Sequence, residues 1–352
     1  MLEEVERWLT RRSWSAADRT LDRLLVAKAA RGTTVSVVLP ALDEEATVGA
    51  IVSVIRRELM ERAPLVDELV VIDSGSSDRT AEVAAAAGAR VVHRDAILPR
   101  LPALPGKGEV LWRSLLVTSG DVVCFVDADL RRFSADFVSG TVGPLLTDSD
   151  VHFVKAMYDR PLRESGTDDE GADEEGAGLH GTGASGGTRG DGTGGDGTGG
   201  SAAGAQGGRV TELVARPLLN LHWPQLAGFV QPLGGEYAAR RSLLERLPFP
   251  VGYGVELGLL VDALHTVGLD ALGQVDVGVR LHRHQDDRAL GRMAAAIYRT
   301  AQLRLSRAHL VRPELTQFDR GEHGFVPRTY SVDTEERPPI REIAEYTSGR
   351  AA

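Results

Sequence analysis

Short apolar runs rich in β-branched residues recur along the first half of the chain, each bounded by polar or turn-forming residues. They predict four buried strands, at Thr34–Leu39, Asp67–Ile72, Ala89–His93 and Asp121–Val126. Between these strands, apolar residues recur every three or four positions, which predicts helices at Glu44–Glu61, Asp78–Gly88 and Lys107–Ser119. Because strand and helix alternate, we expect an α/β, Rossmann-like, mostly parallel sheet with helices on both faces.

The remaining globular segments are also periodic. After residue 208 the pattern predicts helical segments and one strand, at Thr211–Asn220, Leu243–Leu247, Glu256–Val267, Leu272–Val279 (the strand) and Arg288–His309. The first thirty residues are expected to be helical and to pack as a lid or a dimer arm. The Pro- and charge-rich residues after Arg312 are expected to be loosely packed. We therefore expect helical terminal extensions on the α/β domain.

A glycine-rich, acidic segment interrupts the pattern. From Glu164 to Gly208, 18 of 45 residues are glycine, nine are acidic and one is basic. Leu179 is its only large apolar residue, so the segment cannot bury enough surface to offset the entropy of ordering it. We predict a disordered insert at 164–207. Because it holds most of the net charge of -10, that charge says little about the substrate.

Composition excludes several classes of protein. Aromatic residues make up 5% of the chain and the net charge is negative, which argues against a nucleic-acid binder. Cys124 is the only cysteine, so neither an intramolecular disulfide nor a Cys-built zinc site is expected. No apolar run is long enough to cross a bilayer, and the first residues lack the apolar core of a signal peptide. We expect a cytoplasmic protein.

Paired acids at a strand end are the strongest chemical signal. Asp127, Ala128 and Asp129 directly follow the fourth predicted strand. Two carboxylates held this close repel each other unless a cation neutralises them, and Mg²⁺ or Mn²⁺ prefers carboxylate oxygens and substrate phosphates. A solvated turn after a strand is the alternative interpretation, and the motif alone does not exclude it.

Two further polar segments follow predicted strands. Pro40, Ala41, Leu42, Asp43, Glu44 and Glu45 follow the first, and Asp73-Ser74-Gly75-Ser76-Ser77-Asp78 follows the second. Acidic residues at the start of a helix would explain the first segment, and a polar turn with an N-cap would explain the second. In a parallel sheet, however, all three segments reach the same edge, where ligands bind in such folds.

These three motifs, in this order, resemble those of nucleotide-sugar glycosyltransferases with a GT-A fold. Segments in the second half narrow the resemblance to the glucosyl-3-phosphoglycerate synthase family of actinobacteria. They are Pro99–Glu109, Gly208–Leu213, Arg216–Leu219, Gly252–Glu256 and Arg280–His284. The resemblance covers roughly residues 34–290. It departs from the family at Asp43 and His284, where the family usually has Asn.

The resemblance implies a donor site for UDP-glucose. The implied donor-binding residues are Pro40, Ala41, Leu42, Glu44, Ser74, Lys107, Asp127, Ala128, Tyr253, Glu256, Arg280, His282 and Arg283. Ser74 would reach the uracil, and Lys107 would face the nucleotide. Tyr253 and Glu256 would face the transferred glucose, with Glu256 as the catalytic residue that orients the sugar. The implied ligands of Mg²⁺ or Mn²⁺ are Asp129 and His282.

The resemblance also implies an acceptor site for 3-phosphoglycerate. Its residues would be Gly208, Arg209, Val210, Thr211 and His284. Arginine, backbone N–H groups and a hydroxyl suit an acceptor that carries a phosphate and a carboxylate. The alternative is a loop-to-helix junction with a surface arginine.

The implied activity is transfer of glucose from UDP-glucose to the 2-hydroxyl of 3-phosphoglycerate, with retention of the anomeric configuration, in a homodimer. The chain would comprise an N-terminal helical arm (1–32), a nucleotide-sugar-binding part (33–163), the insert (164–207), an acceptor-binding part (208–310) and a C-terminal extension (311–352). Three alternatives stay open: a mannosyl-3-phosphoglycerate synthase that uses GDP-mannose, an inverting GT-A enzyme, and a non-enzymatic sugar-nucleotide binder. Neither nucleic acid nor a membrane is an expected partner.

Overall fold

The computed structural model describes residues 2–159, 208–280, 287–305, 314–321, 324–331 and 334–350. The predicted disordered insert, together with His282, Arg283 and His284, lies outside the described residues. The strands are β1 Ser13–Ser15, β2 Val35–Ala41, β3 Glu68–Asp73, β4 Arg90–His93, β5 Val122–Phe125, β6 Phe153–Asp159, β7 Tyr237–Arg240, β8 Phe249–Pro250, β9 Leu272–Val279, β10 Glu314–Gly321, β11 Gly324–Ser331 and β12 Glu336–Arg337.

Helices connect most of these strands. They are α1 Glu3–Arg12, α2 Leu21–Arg31, α3 Val48–Arg56, α4 Thr80–Ala87, α5 Lys107–Val117, α6 Asp136–Thr147, α7 Arg216–His222, α8 Arg241–Leu244, α9 Val255–Val267, α10 Asp287–Leu305 and α11 Ala344–Arg350. A π-helical turn at Arg57–Arg62 extends α3, and another at Thr211–Ala215 precedes α7. Within the described residues, no helix is both long and apolar enough to cross a membrane.

One eight-stranded sheet organises these elements, in the order β1-β9-β6-β7-β5-β2-β3-β4. β7 runs antiparallel to both of its neighbours, and the other strands are parallel to one another. The carboxyl ends of β2, β3, β5, β6 and β9 therefore share one edge with the amino end of β7. This edge carries the candidate site.

Each face of the sheet has its own hydrophobic core, as the alternation of strands and helices predicts. Alternate strand residues such as Val38 and Phe125 pack on one face with α5 and α9. Their neighbours in sequence, such as Val37 and Cys124, pack on the other face with α3 and α6. Side chains of a strand alternate between faces, so a strand buried on both sides is apolar throughout.

β2, which is the first of the predicted strands, and the helix after it differ from the predicted bounds. β2 continues through Pro40 and pairs there with β3. Proline has no N–H to donate, but β5 pairs only with Val35–Val38, so no hydrogen bond to β5 is lost at Pro40. The predicted helix at Glu44–Glu61 becomes regular only at Val48. Before that point, the neighbouring turn accepts the backbone N–H groups: Glu44 N donates to Thr80 Oγ1 over 2.7 Å.

The prediction of a wholly helical N-terminal arm is wrong. Ser13–Ser15 forms the edge strand of the main sheet and pairs with β9. Trp8 is buried, and its indole N–H donates to the carbonyl of Leu272 over 2.8 Å. Burial of Trp8 against the sheet attaches residues 2–31 to the domain itself, so they are not a separate lid.

The prediction of a loosely packed C-terminal extension is also wrong, although α11 provides a helix there. β10 and β11 form an antiparallel hairpin, and β12 pairs with β8. Ile340 is fully buried. Arg337 reaches the buried carboxylate of Glu109 over 2.7 Å, and Trp112 donates to the carbonyl of Pro338 over 3.0 Å. A charged, Pro-rich composition hides the last two contacts, because Glu109 and Trp112 lie more than 200 residues away from their partners in sequence.

Candidate active site

A network of ion pairs surrounds Asp127 and Asp129 at the carboxyl edge of the sheet. Lys107, the first residue of α5, pairs with Asp127. Arg280, directly after β9, reaches Asp127 over 2.9 Å and Asp129 over 3.2 Å with the same Nη2 atom. Cationic side chains from two separate elements thus converge on the two acids, which a solvated turn would not require.

Two more carboxylates complete this network. Glu256, in the first turn of α9, accepts from Lys107 over 2.8 Å. Glu236, the residue before β7, lies 3.0 Å from Arg280. The side chain of Asp129 keeps 37% of its surface exposed, whereas those of Glu236 and Glu256 are 0% and 8% exposed. Asp129 is therefore the carboxylate of this site that is most open to a ligand.

The charges of the network favour a divalent cation. Among the described residues, four carboxylates (Asp127, Asp129, Glu236 and Glu256) face three cations (Lys107, Lys155 and Arg280), which leaves one excess negative charge. Burial, followed by the charge of Asp127, raises the pKa of Asp129 above its usual value. Because burial and a like charge both disfavour the ionised form of Asp129, a bound cation would stabilise that form.

The described part of the chain supplies only part of a metal site. It contains no group of three or more His, Cys, Asp or Glu side chains that could hold a metal ion. Mg²⁺ usually keeps one or two protein carboxylates and takes its other ligands from substrate phosphates and water. Asp129 fits that pattern. The predicted second ligand, His282, lies outside the described residues.

Lys155 is a fully buried lysine behind this network. It lies within β6, its Nζ donates to the carbonyl of Gly234 over 2.7 Å, and it stands 4.8 Å from the ring centroid of Tyr237. Burial lowers the pKa of Lys155 to about 8, although Glu256 opposes that effect. The lysine therefore fixes the Gly234 backbone at a cost in stability.

This cost predicts a pH-dependent difference between the wild type and Lys155→Met. Below about pH 8 the lysine is charged in both the folded and unfolded states, so the burial cost is fully present. Between about pH 8 and pH 10.5 only the unfolded state stays protonated, so the free energy of unfolding should rise by up to about 3 kcal/mol relative to Lys155→Met. Urea unfolding of both proteins across this range measures the difference, and parallel pH profiles would contradict the assignment.

The two predicted nucleotide segments are bound to each other. Ser74 N donates to the carbonyl of Ala41 over 2.9 Å. Asp43 has a left-handed backbone, with φ of 56°, and its carboxylate accepts from Ser77 N over 2.7 Å. Among residues that carry a side chain, Asn and Asp adopt this conformation most readily, so Asp43 suits the position where the resemblance implies Asn.

A buried hydroxyl links these segments to the acid pair. Thr47 Oγ1 donates to the carbonyl of Ala128 over 2.6 Å and contacts the carboxylate of Glu44 at 3.3 Å. The structure thus brings Pro40, Ala41, Leu42, Glu44 and Ser74 to the edge that holds Asp127, Ala128 and Asp129. Sequence reasoning missed Thr47, since nothing in its local pattern distinguishes it from an ordinary helix-start threonine.

Gly235 approaches the network so closely that any side chain would overlap with it. A Cβ built there would collide with both the carboxylate of Asp127 and the Nζ of Lys107. Glycine is needed here for close approach, and its backbone lies outside the left-handed region. The strand order explains this position, because the antiparallel β7 brings its own amino end to the edge.

We expect Gly235→Ala to weaken UDP binding about tenfold or more, because the added methyl group separates Lys107 from Asp127. Titration calorimetry with UDP and Mn²⁺ measures the loss. Gly252→Ala is the matched control, since a Cβ there meets no atom within 4 Å. Equal UDP affinity of the Gly235→Ala protein and the wild type would show that this close approach is unimportant.

The predicted acceptor residues begin a separate helical segment. Gly208 O accepts from Glu212 N over 3.1 Å, and the following π-helical turn at Thr211–Ala215 packs against α10. Arg209 is exposed, whereas Val210 and Thr211 are 7% and 2% exposed. Arg209 therefore lies at the surface where this segment begins. Tyr253, predicted to face the sugar, is 52% exposed just before α9 and Glu256.

Glu236 is the clearest functional candidate that the sequence analysis missed. Ligands of α/β sheets were expected after the carboxyl ends of strands, whereas Glu236 precedes a strand. The run Gly234-Gly235-Glu236 before an apolar strand could have indicated a close backbone approach with a charged residue beside it.

Comparisons with known proteins agree with this architecture. The family described as Glycosyl transferase family 2 matches residues 36–157. The glucosyl-3-phosphoglycerate synthase of Mycolicibacterium smegmatis is 47% identical, over 95% of this chain and 97% of its own length. Mannosyl-3-phosphoglycerate synthase from Rubrobacter xylanophilus has a similar crystal structure, with a TM-score of 0.79, 37% identity, and coverage of 96% of this chain and 98% of that one.

A third similar protein has been solved with ligands. Glucosyl-3-phosphoglycerate synthase from Mycobacterium tuberculosis in complex with Mn²⁺, UDP-glucose and phosphoglyceric acid has a TM-score of 0.72 and 42% identity. The match covers 92% of this chain and 95% of that one. The same enzyme has also been crystallised with Mg²⁺ and UDP. The similarity thus extends over nearly the whole length of each of these proteins.

Proposed function

The chain belongs to the family of glucosyl-3-phosphoglycerate synthases, and on this premise we propose that it transfers glucose from UDP-glucose to the 2-hydroxyl of 3-phosphoglycerate. The products are glucosyl-3-phosphoglycerate and UDP, and the reaction depends on Mn²⁺ or Mg²⁺. The observation that carries this function is the network in which Lys107 and Arg280 converge on Asp127 and Asp129, with Glu256 paired to Lys107. This network combines carboxylates that can bind a cation with two positively charged side chains, Lys107 and Arg280, that can bind a diphosphate.

The donor site extends along the carboxyl edge from β3 to β9. We assign the nucleoside to Pro40, Ala41, Leu42, Glu44 and Ser74, which the hydrogen bond between Ser74 and Ala41 holds together. Lys107 and Arg280 face the diphosphate, with Asp127 and Ala128 beneath it, and Arg283 adds a further cation from outside the described residues. The sugar lies toward Tyr253 and Glu256.

Asp129 and His282 are the protein ligands that we propose for the metal. When bound, the cation neutralises negative charge on the diphosphate as UDP leaves. Lys107 and Arg280 stabilise the same charge, and their ion pairs hold them in place before the reaction starts. Their fixed positions reduce the reorganisation that the transition state requires.

The acceptor site lies at the start of the helical segment before α7. Arg209, with the backbone of Gly208 and Val210, is suited to the acceptor phosphate, and Thr211 and His284 complete the site. The 2-hydroxyl attacks the anomeric carbon on the side from which UDP departs, and its proton passes to an oxygen of the leaving diphosphate. Such a front-face course retains the anomeric configuration.

Glu256 orients the sugar and does not act as a nucleophile in this scheme. Its Oε1 accepts from Lys107 over 2.8 Å, and only 8% of its side chain is exposed. A carboxylate that is bound to an ammonium group donates electrons poorly to an electrophilic carbon. The transfer therefore needs no covalent glycosyl-enzyme.

A mannosyl transfer is the second candidate function. The similar structure from Rubrobacter xylanophilus is a mannosyl-3-phosphoglycerate synthase that covers nearly the whole chain. Identity is higher to the glucosyl enzyme of Mycolicibacterium smegmatis, at 47% against 37%. We therefore favour UDP-glucose over GDP-mannose as the donor.

A donor-by-acceptor assay tests these alternatives. Purified protein with Mn²⁺ is given UDP-glucose, ADP-glucose or GDP-mannose, each with 3-phosphoglycerate or 2-phosphoglycerate. We expect UDP-glucose with 3-phosphoglycerate to exceed every other combination in kcat/KM by about tenfold or more. NMR of the product should show the α-anomer, and a β-anomer would overturn the retaining course. Higher turnover with GDP-mannose would replace the glucosyl assignment by the mannosyl one.

Assembly and location complete the proposal. We propose a cytoplasmic homodimer whose chain divides as predicted into a nucleotide-sugar-binding part (33–163), the insert (164–207) and an acceptor-binding part (208–310). The last part also contributes residues such as Glu256 and Arg280 to the donor site. Residues 1–32 and 311–352 flank these parts. Light scattering coupled to size-exclusion chromatography measures the oligomeric state, and a monomeric mass would contradict the dimer.

A further inference from the structure

Glu236 is a carboxylate with no exposed surface, and its two oxygens face different partners. One oxygen lies 3.0 Å from Nη2 of Arg280, and the other accepts from the hydroxyl of Tyr158 over 2.8 Å. The backbone carbonyl of Glu236 also accepts from Ala156 N over 2.9 Å, which ties the residue to β6. A buried carboxylate requires such compensation, because burial of an unpaired charge is costly.

Arg280 connects Glu236 to the acids of the active site. Its Nη2 lies within 3.2 Å of three carboxylates, those of Asp127, Asp129 and Glu236. Its guanidinium also lies 5.7 Å from the ring centroid of Tyr158. Although burial lowers the pKa of Arg280, these acids, Glu236 first, raise it well above the usual value. Arg280 therefore stays charged and is shared between a buried anchor and the exposed acid pair.

The sharing creates a conflict at Asp129. A cation bound by Asp129 must compete with Arg280 for the same carboxylate, since both charges seek the oxygens of Asp129. Glu236 is the only one of the three acids with no exposed surface, so neither donor nor metal can reach it. Its attraction for Arg280 persists when ligands occupy Asp127 and Asp129.

We propose that Glu236 is a positioning residue that attracts Arg280 from its buried side, so that Arg280 can release the carboxylate of Asp129 to the divalent cation. The inference rests on the proposed function of the site as a metal-dependent donor site. Glu236 has no exposed surface and acts through Arg280. Tyr158 supports it by fixing the second oxygen of the carboxylate.

Glu236→Gln separates charge from shape at this position. The amide keeps the size of the side chain and an oxygen that can accept from Tyr158, but it loses the negative charge. We expect the dissociation constant for Mn²⁺, measured by calorimetry at saturating UDP, to rise about tenfold or more. The dissociation constant for UDP without metal should stay within about twofold or fall, because the site has become less negative.

The opposite responses of metal and nucleotide distinguish positioning from structural damage. A variant that merely loosened the fold would raise both dissociation constants. A parallel loss of affinity for Mn²⁺ and for UDP would therefore overturn the proposal. Equal Mn²⁺ affinity in Glu236→Gln and the wild type would overturn it as well. Tyr158→Phe is the matched control: it removes one hydrogen bond from Glu236 but leaves the charge, so the Mn²⁺ constant should change less than about threefold.

A second variant covers the case in which Glu236→Gln does not fold. Glu236→Asp keeps the charge but withdraws it from Arg280 by one methylene, so Mn²⁺ affinity should fall about threefold or more while metal-free UDP binding is kept. Unchanged Mn²⁺ affinity of a folded Glu236→Asp protein would contradict the proposal. These binding measurements do not depend on the acceptor or on turnover. Failure of the transferase assignment would therefore appear in the donor-by-acceptor assay and not here.

Discussion

Replacement of Asp129 by alanine should reduce the rate of glucose transfer about 10³-fold or more and leave the fold intact. Asp129 is the carboxylate of the network that is most open to a cation, with 37% of its side chain exposed. Burial and the neighbouring charge of Asp127 raise its pKa, so the ionised group is under-compensated in the folded protein. Its removal relieves that repulsion, and we expect the melting temperature to stay equal or rise.

Initial rates with Mn²⁺ and calorimetric titration of Mn²⁺ at saturating UDP measure the effect. Asp136→Ala, which removes an exposed acid at the start of α6, should behave like the wild type in both. His282→Ala should weaken transfer greatly, because we propose His282 as the second ligand. Full activity of Asp129→Ala in the presence of a chelator would show that the metal assignment is wrong.

Arg209→Ala should raise the KM for 3-phosphoglycerate about 30-fold or more, with little change in UDP affinity. Loss of one partner of a charged, hydrogen-bonded contact costs about 2 to 5 kcal/mol when the contact is buried, as it would be beneath a bound acceptor. The exposed position of Arg209, at the start of the helical segment before α7, favours a role toward an incoming anion. Arg209→Lys should recover only part of the loss, because lysine supplies a point charge without the planar fork.

Kinetics at varied acceptor concentration, together with UDP titration in Mn²⁺, separate the two sites. Arg246→Ala removes another exposed arginine and should leave both constants unchanged. A variant of Arg209 that loses UDP affinity but keeps its acceptor KM would move the acceptor site away from 208–211. The assignment of 3-phosphoglycerate as acceptor would then lose its main physical support.

The local sequence pattern was enough to identify Asp127 as a site residue, but it could not predict the contacts of Arg280. The acid pair could be recognised from sequence because an apolar strand directly precedes it, and strand ends of a parallel sheet share one edge. Arg280 was implied by resemblance. Its threefold contact with Asp127, Asp129 and Glu236 depends on β9 and β7, which follow β5 by more than 100 residues.

Errors at the chain termini have the same origin. Ser13–Ser15 contains too few residues for any periodicity, and its strand exists only because β9 offers a free edge. Arg337 belongs to a charged, Pro-rich stretch, yet it pairs with the buried Glu109 of α5. In both cases the stabilising partner is distant in sequence, so local propensity carried no information about the contact.

The α/β class, the strand Leu272–Val279, and the three polar segments that end β2, β3 and β5 could all be predicted from the amino-acid sequence. They were predictable because side-chain periodicity and β-branched content act locally and are visible in a short window. The antiparallel direction of β7, which brings Gly235 and Glu236 to the same edge, became apparent only in the folded chain. Strand direction within a sheet depends on hydrogen-bond pairing and core packing between distant segments, and no local pattern encodes that choice.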